Sequence, residues 1–474
     1  MDDHIVGSPA CRPISAPCRP TCRGFYPRQV PLVVTKSHDK STKQAPHSGP
    51  DTPDRRAPHP TRRQESPHPD PVSPSKAILR QKPDPAQAIF RHHGQVAYTL
   101  ADVLPSVAAS FGLDTPAPLQ IAPNRDVVLL LIDGLGAELL ARHSGSAPTL
   151  AAHVGTTLNA GFPATTAVSL TSLAMGAPCA THGIIGSSFA VPEADGIRVL
   201  NALRWKVDAA FGEDARELYP PEQVQPRASR LEDLAAHGVE LSYVVPDYYD
   251  GSGLTRAAFR APGTLYPAAT LDELRAGILA ATRDSGTRSR FTYAYFSDLD
   301  MNGHIHGPGS AEWLETLRAI DAWTADLLTE LPASCTLLIT GDHGMVRADR
   351  VIDLDADAEL QRGVRLIAGE ARVRHVHLDR PDALGEVLAR WTEVLSTDVR
   401  VATREQALDE HWFGPTPPDA VIARRIGDVL AVAEGGTVLV CPEREPLESI
   451  MIGHHGSWTV DEQAVPLISS QVRG

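Results

Sequence analysis

The sequence predicts an α/β fold organised around a largely parallel central sheet. Three observations carry that prediction. Strand-length apolar runs recur at 126–134, Leu241–Val245, Phe291–Phe296 and Thr336–Thr340. Such runs lack polar alternation, so they belong to strands buried on both faces, as in a parallel sheet between helical layers. Helical spacing lies between them; in Glu312–Leu331 the residues Trp313, Leu317, Ile320, Trp323 and Leu327 fall on one side. Finally, Asp133, the stretch Asp298–Asp300 and Asp342 each follow the end of such a run. Open α/β sheets bind their ligands at the carboxyl ends of the strands.

The chain has 474 residues, of which 42% are hydrophobic, enough for a substantial core. Its composition breaks near residue 88. Residues 1–88 hold 17 of the 40 prolines and 14 Lys+Arg against 8 Asp+Glu, a net of +6. That leaves 30 basic and 50 acidic residues in 89–474, a net of −20. The first stretch reads as a disordered, solvated Pro/Arg-rich tail, because segments such as Pro67-His68-Pro69-Asp70-Pro71 lack the N–H groups and apolar content that ordering requires. The remainder, 89–474, reads as one catalytic domain. A lead-in helix is expected near Thr99–Leu104. Periodicity weakens between 190 and 270, where Pro220-Pro221 and Asp247-Tyr248-Tyr249-Asp250-Gly251 mark loops. A cap or insertion over the site is expected there.

No apolar run reaches the ~20 residues that span a bilayer, so no membrane span is expected. No signal peptide is visible. The six cysteines, at 11, 18, 22, 179, 335 and 441, make no Cys-x-x-Cys pair. They read as free thiols in a reducing, cytoplasmic compartment. No stable nucleic-acid partner is expected.

The residues that carry chemistry follow in chain order. Asp133 ends the first strong strand; it serves either as a metal ligand or as a helix cap. Small and apolar residues after Thr165-Thr166 favour a helix starting there, whose N-terminus offers N–H groups to a phosphate. A threonine at that point is an ordinary N-cap, or, beside a metal, a nucleophile. Asp300 and His304 are spaced to reach one ion across a turn, with Asp298 and His306 able to orient them. Asp342-His343 offers two adjacent ligands at a strand end, and His454-His455 lies among glycines near the chain end. Mixed Asp/His ligands with an oxygen nucleophile point to two divalent ions, zinc first, with manganese or another divalent ion as alternatives.

These residues resemble the alkaline phosphatase superfamily, and within it the type I phosphodiesterase/nucleotide pyrophosphatase family, over roughly residues 120–470. The family's Pro-x-x-Thr stretch leading through Gly to His-Gly-Ile is matched by Pro163, Thr166, Gly176 and His182-Gly183-Ile184. Its Asp-x-x-Gly-His-x-x-Gly-Pro is matched by Asp300 through Pro308. Its Asp-His-Gly-Met is matched by Asp342 to Met345, and its Gly-x-His-Gly by Gly453 to Gly456. The resemblance implies an alkaline-phosphatase-like three-layer sandwich and a phospho-threonine on Thr166. It implies one zinc on Asp300, His304 and His455, and another on Asp133, Asp342, His343 and the Thr166 oxygen. The implied substrate is a small phosphodiester or nucleotide pyrophosphate; a monoester or phosphonate is the alternative, and a non-catalytic binding role the remote one. The family's diesterases place an Asn that binds a phosphate oxygen where this chain has Ser187. Trp205, Tyr248, Tyr249 and Phe259 in the expected cap either pack or stack on a base.

Overall fold

The computed structural model describes residues 91–92, 95–96 and 98–471, apart from 195, 209–211 and 284–285. The stretch 1–88, with Cys11, Cys18 and Cys22, lies outside the described residues.

The main sheet is built from β1 (Asp126–Ile132), β2 (Val154–Asn159), β3 (Glu240–Val245), β4 (Thr264–Pro267), β5 (Arg290–Phe296), β6 (Cys335–Thr340) and β7 (Ala464–Gln471). Their order is β4-β3-β5-β1-β6-β7-β2. The first five are mutually parallel, and β7 runs antiparallel to both of its neighbours. β1, β5 and β6 are buried throughout, as their uninterrupted apolar sequences require.

Alternation along β1 explains the three layers. Val127, Leu129 and Leu131 enter one core, which also holds helices Val103–Ser110, Arg230–Ala236 and α1 (Thr166–Met175). Val128, Leu130 and Ile132 enter the other core, against α2 (Asp298–His306) and α3 (Ala311–Glu330). Trp313, Leu317, Ile320, Trp323 and Leu327 of α3 all lie in that second core. The lead-in helix also forms, starting at Val103. This is the expected α/β three-layer architecture.

The stretch 190–270 does not fold as one insertion. Its first part joins a four-stranded sheet spanning 188–214. β3 and β4, also within the stretch, are integral strands of the main sheet. The loops between them weakened the periodicity while the strands kept their apolar pattern. A further four-stranded antiparallel sheet, from 364–370, 373–378, 399–403 and 429–433, packs on helix Leu384–Leu395 around Trp391. The sequence did not announce this sheet, because its second strand buries Arg374, His375 and His377 among apolar residues. Among the described residues no helix is long and apolar enough to cross a membrane.

Candidate metal centre

Strand order places the ligands. β1 lies between β5 and β6, so the segments leaving their carboxyl ends are neighbours. Asp133 follows β1, Asp300 lies in the first turn of α2 after β5, and Asp342 follows β6. Gly134, with φ of +76°, permits this convergence; a Cβ on it would lie 3.0 Å from the Asp300 Cα.

Two ligand sets result. Asp300, His304 and His455 present one ligand atom each within 4.8 Å of one another, and so do Asp133, Asp342 and His343. The sets adjoin, since the His343 and His455 rings stack with centroids 3.5 Å apart. Thr166 opens α1, and its Oγ1 lies 3.1 Å from His343 Nε2. All seven residues named from the sequence therefore meet in one place, although 322 positions of chain separate Asp133 from His455.

Backbone carbonyls settle the tautomers. His304 Nδ1 faces the Gly453 carbonyl at 2.8 Å, His343 Nδ1 the Gly344 carbonyl at 3.0 Å, and His455 Nδ1 the Ala164 carbonyl at 3.0 Å. A carbonyl only accepts, so each Nδ1 carries the hydrogen and each Nε2 turns a lone pair inward. Asp298 and His306 do not perform this orienting task; the carbonyls do.

The carboxylates are equally prepared. Asp342 Oδ1 accepts from the backbone N–H groups of Gly134 and His343 at 3.0 and 3.1 Å. The Tyr295 hydroxyl donates to Asp133 Oδ2. Among the described residues no hydrogen-bond partner meets the remaining oxygens, Asp133 Oδ1, Asp342 Oδ2 and Asp300 Oδ1, although all are buried and each has the Nε2 of His343 or His455 within 3.9 Å. Buried acceptors are seldom left so, and three of them beside three imidazole lone pairs fit divalent cations. Burial, with the charges of Asp342 and Asp300, pushes the Asp133 carboxyl well above its ordinary value. Burial also opposes the Asp300 charge, but His304, when its ring is protonated, outweighs it and holds that carboxyl low. Burial and the neighbouring His343 drive His455 well below the usual histidine range.

The motif residues that are not ligands have packing roles. A Cβ on Gly303 would lie 2.4 Å from Met345 Sδ, and one on Gly453 would lie 2.4 Å from the same sulfur. The two glycines thus close on Met345 and lock together the segments bearing His304, His343 and His455. His182 joins α1 to the Ser187 loop: its Nδ1 accepts from the Ile184 N–H at 3.2 Å, so its Nε2–H donates to Ser172 Oγ at 3.0 Å. Sequence reasoning missed Tyr295 and Glu370. Glu370 accepts from the Ser187 N–H at 2.8 Å, but 183 positions separate the two.

Of the four aromatic residues flagged in the expected cap, Trp205 and Phe259 are buried. Tyr249 packs edge-on against Tyr295 at 5.5 Å, and Tyr248, 44% exposed, lies 4.7 Å from Tyr249. A line of tyrosines therefore runs from the surface to Asp133.

Fold and site define a class: α/β enzymes with a two-part candidate metal centre and a hydroxyl at a helix start. Residues 127–458 match the type I phosphodiesterase / nucleotide pyrophosphatase family, well over half of the chain. The chain belongs to that family, whose members are phosphoester hydrolases within the alkaline phosphatase superfamily. A solved structure similar to it is human ectonucleotide pyrophosphatase/phosphodiesterase 5, at 19% identity over 72% of this chain and 87% of that one, with a TM-score of 0.55. An inactive form of the murine protein in complex with AMP is similar at 17% identity, 72% and 87% coverage, and 0.55. Phosphonoacetate hydrolase from Sinorhizobium meliloti 1021, in complex with phosphonoacetate, follows at 18% identity, 73% and 90% coverage, and 0.52. These likenesses speak to the fold. Among curated proteins no sequence matches.

Proposed function

We propose that this enzyme cleaves phosphodiester or nucleotide pyrophosphate bonds through a covalent phospho-threonine on Thr166, with two divalent cations, zinc foremost. The observation that carries the reading is the meeting of two ligand sets with one hydroxyl, Thr166 Oγ1 lying 3.1 Å from His343 Nε2. Asp300, His304 and His455 would hold one cation; Asp133, Asp342, His343 and Thr166 the other. Bound there, the pair supplies Lewis acidity that favours the ionised Thr166 hydroxyl and offsets charge on the leaving oxygen.

The chain's own residues do the rest. Thr166 Oγ1 attacks phosphorus, and its new bond forms as the bond to the leaving oxygen breaks. Water then attacks the phospho-threonine, returns the phosphoryl group to solution and restores the hydroxyl. The N-terminus of α1 offers its first-turn N–H groups and positive dipole end to the phosphoryl oxygens. The Gly453, Gly344 and Ala164 carbonyls hold the three imidazoles in the ligating tautomer, and Tyr295 fixes Asp133. A phosphomonoester or phosphonate is the second reading. Ser187 favours it, because one hydroxyl replaces the amide that diesterases direct at a phosphate oxygen.

The test compares a bis-aryl phosphate with the matching mono-aryl phosphate on the zinc-loaded chain. A faster diester supports the phosphodiesterase reading; a faster monoester transfers support to the second. Acid-quenched enzyme should carry the retained phosphoryl group on Thr166 by mass spectrometry: an aryl phosphate from the diester, phosphate from the monoester. Thr166→Ala should keep the fold and metal content and lose turnover. Full activity in that variant would refute the nucleophile.

A further inference from the structure

Exposed apolar side chains are ordinary when they stand singly. Gathered around a cleft, they mark what the cleft receives. Among the described residues thirteen large hydrophobic side chains are exposed, and five of them belong to segments that border the candidate centre: Leu203, Met301, Ile305, Leu447 and Ile450. Their exposure runs from 41% at Leu447 to 74% at Ile450. The metal chemistry uses none of them.

Hydrogen bonds and an ion pair join these segments to the site. Met301 and Ile305 each follow a ligand, Asp300 and His304, by one residue on α2. One residue turns a helix by about 100°, so the two form a stripe beside the ligand stripe. Leu299 and Gly303 fill the buried side of the same helix. The segment after Ile450 docks on α2: the Ile452 N–H donates to the His304 carbonyl at 2.7 Å, and His304 Nδ1 donates to the Gly453 carbonyl at 2.8 Å. Leu447 immediately precedes the short turn Glu448–Ile450. Arg204 reaches Glu448 at 3.8 Å, which sets the loop of Leu203 against that turn. Leu203 in turn follows Ala202, whose N–H donates to the Ser187 carbonyl at 2.8 Å. The five residues therefore run from the Ser187 loop, past the Glu448 turn, to the helix that carries Asp300 and His304.

We propose that this rim receives a hydrocarbon chain of the substrate, so that one ester group of the phosphodiester is a long alkyl or acyl chain. The inference rests on the phosphodiester reading above and adds a substrate class to it. A sugar or a base asks for hydrogen-bond partners that Leu, Ile and Met side chains lack; a run of methylenes asks only for apolar surface. The same surface is poorly suited to larger partners. Residues 89–474 carry a net charge of −20, which opposes an anionic lipid surface. Five partly exposed aliphatic side chains supply only a fraction of the about 800 Å² per side that a stable protein interface buries. One chain leaving the metal centre along the rim matches both the area and the continuity with the site.

The experiment uses the zinc-loaded full chain and a series of alkyl para-nitrophenyl phosphates, methyl to octyl, each below its micelle-forming concentration. The leaving group is constant, so only the chain varies. Full burial of a methylene is worth about fourfold in binding, and a half-open rim about twofold. Across the series kcat/KM should therefore rise about 100-fold. Ile305→Ser/Ile450→Ser should cut the octyl-to-methyl ratio to about ten. Val351→Ser, an exposed apolar residue on the separate strand Arg350–Asp353, should leave the ratio as it is. A wild-type ratio near one, or a high ratio that the double variant keeps, overturns the inference. So does a rise confined to micellar substrate, which would give the rim to a lipid surface. A dimer that the double variant dissolves would give it to a second copy and likewise overturn the inference. A wild-type chain that turns over no member of the series, and no other aryl phosphate, would instead overturn the phosphoester reading itself.

Discussion

Gly303→Ala tests whether the Met345 junction sets the metal geometry. The added Cβ would lie 2.4 Å from Met345 Sδ and 2.9 Å from its Cε. Ordinary contact begins near 3.4 Å, so about 1 Å of movement is required. Met345 cannot supply it, because it is 1% exposed and a Gly453 Cβ would already press on the same sulfur. The strain passes to α2, which carries Asp300 and His304. Overpacking of this kind costs about 1–3 kcal/mol of stability. Metal sites tolerate only about 0.2 Å of ligand displacement, so affinity at the Asp300/His304/His455 set should fall at least tenfold. The assay is zinc titration with denaturant unfolding on the same samples. Shortening Met345 in Gly303→Ala/Met345→Ala should recover the affinity while leaving stability low, since the cavity replaces the clash. Two tight zinc equivalents in Gly303→Ala would refute the reasoning.

Two further outcomes follow from other regions. Asp126→Asn strips the buried Arg290 guanidinium of its carboxylate, whose Oδ1 lies 2.8 Å from Arg290 Nε, and should cost about 3 kcal/mol, read by urea unfolding. Burial opposes the Asp126 charge, but Arg290 and Arg125 outweigh it and hold its carboxyl below the ordinary value. Its contribution is therefore present above about pH 4 and lost as pH falls below that; a variant whose stability loss persists unchanged at pH 2.5 would refute the ion-pair account. Tyr248→Ala should raise KM about tenfold for substrates with an aromatic leaving group and spare an alkyl one, the scale of one stacking contact; equal effects on both would refute a stacking role.

The particular strands show how legibility arises. β1, β5 and β6 were readable because a strand covered on both faces must be apolar at every position, and their burial bears that out. Asp133 and Asp342 were readable because polar residues that interrupt such a strand fall at its end. The sheet over 364–433 was not, because Arg372 and Arg374 lie buried within or beside its strands. Their charge is met by Glu462 at 2.8 Å and Glu445 at 2.7 Å, partners 90 and 71 positions away, with the Thr437, Gly435 and Leu439 carbonyls taking further N–H groups. Likewise 190–270 read as one insertion because loop signals outnumber strand signals in it, although β3 and β4 belong to the main sheet.

The sequence by itself therefore determined the fold class and the set of residues that meet at the centre. The fold class and the carboxylates at the strand ends depend on local rules: apolar runs make buried strands, and a parallel sheet brings their carboxyl ends to one edge; Thr166 and His455 were told from Thr165 and His454 by the resemblance to the family's motifs. Only the tertiary structure decided the order β5-β1-β6, the carbonyls that turn each imidazole, the Tyr295 bond to Asp133 and the Glu370–Ser187–Thr165 chain. Those are hydrogen bonds and neighbour relations between segments far apart in the chain. Nothing in the pattern around either partner records them, because each residue type is ordinary where it stands and acquires its role only when the other arrives.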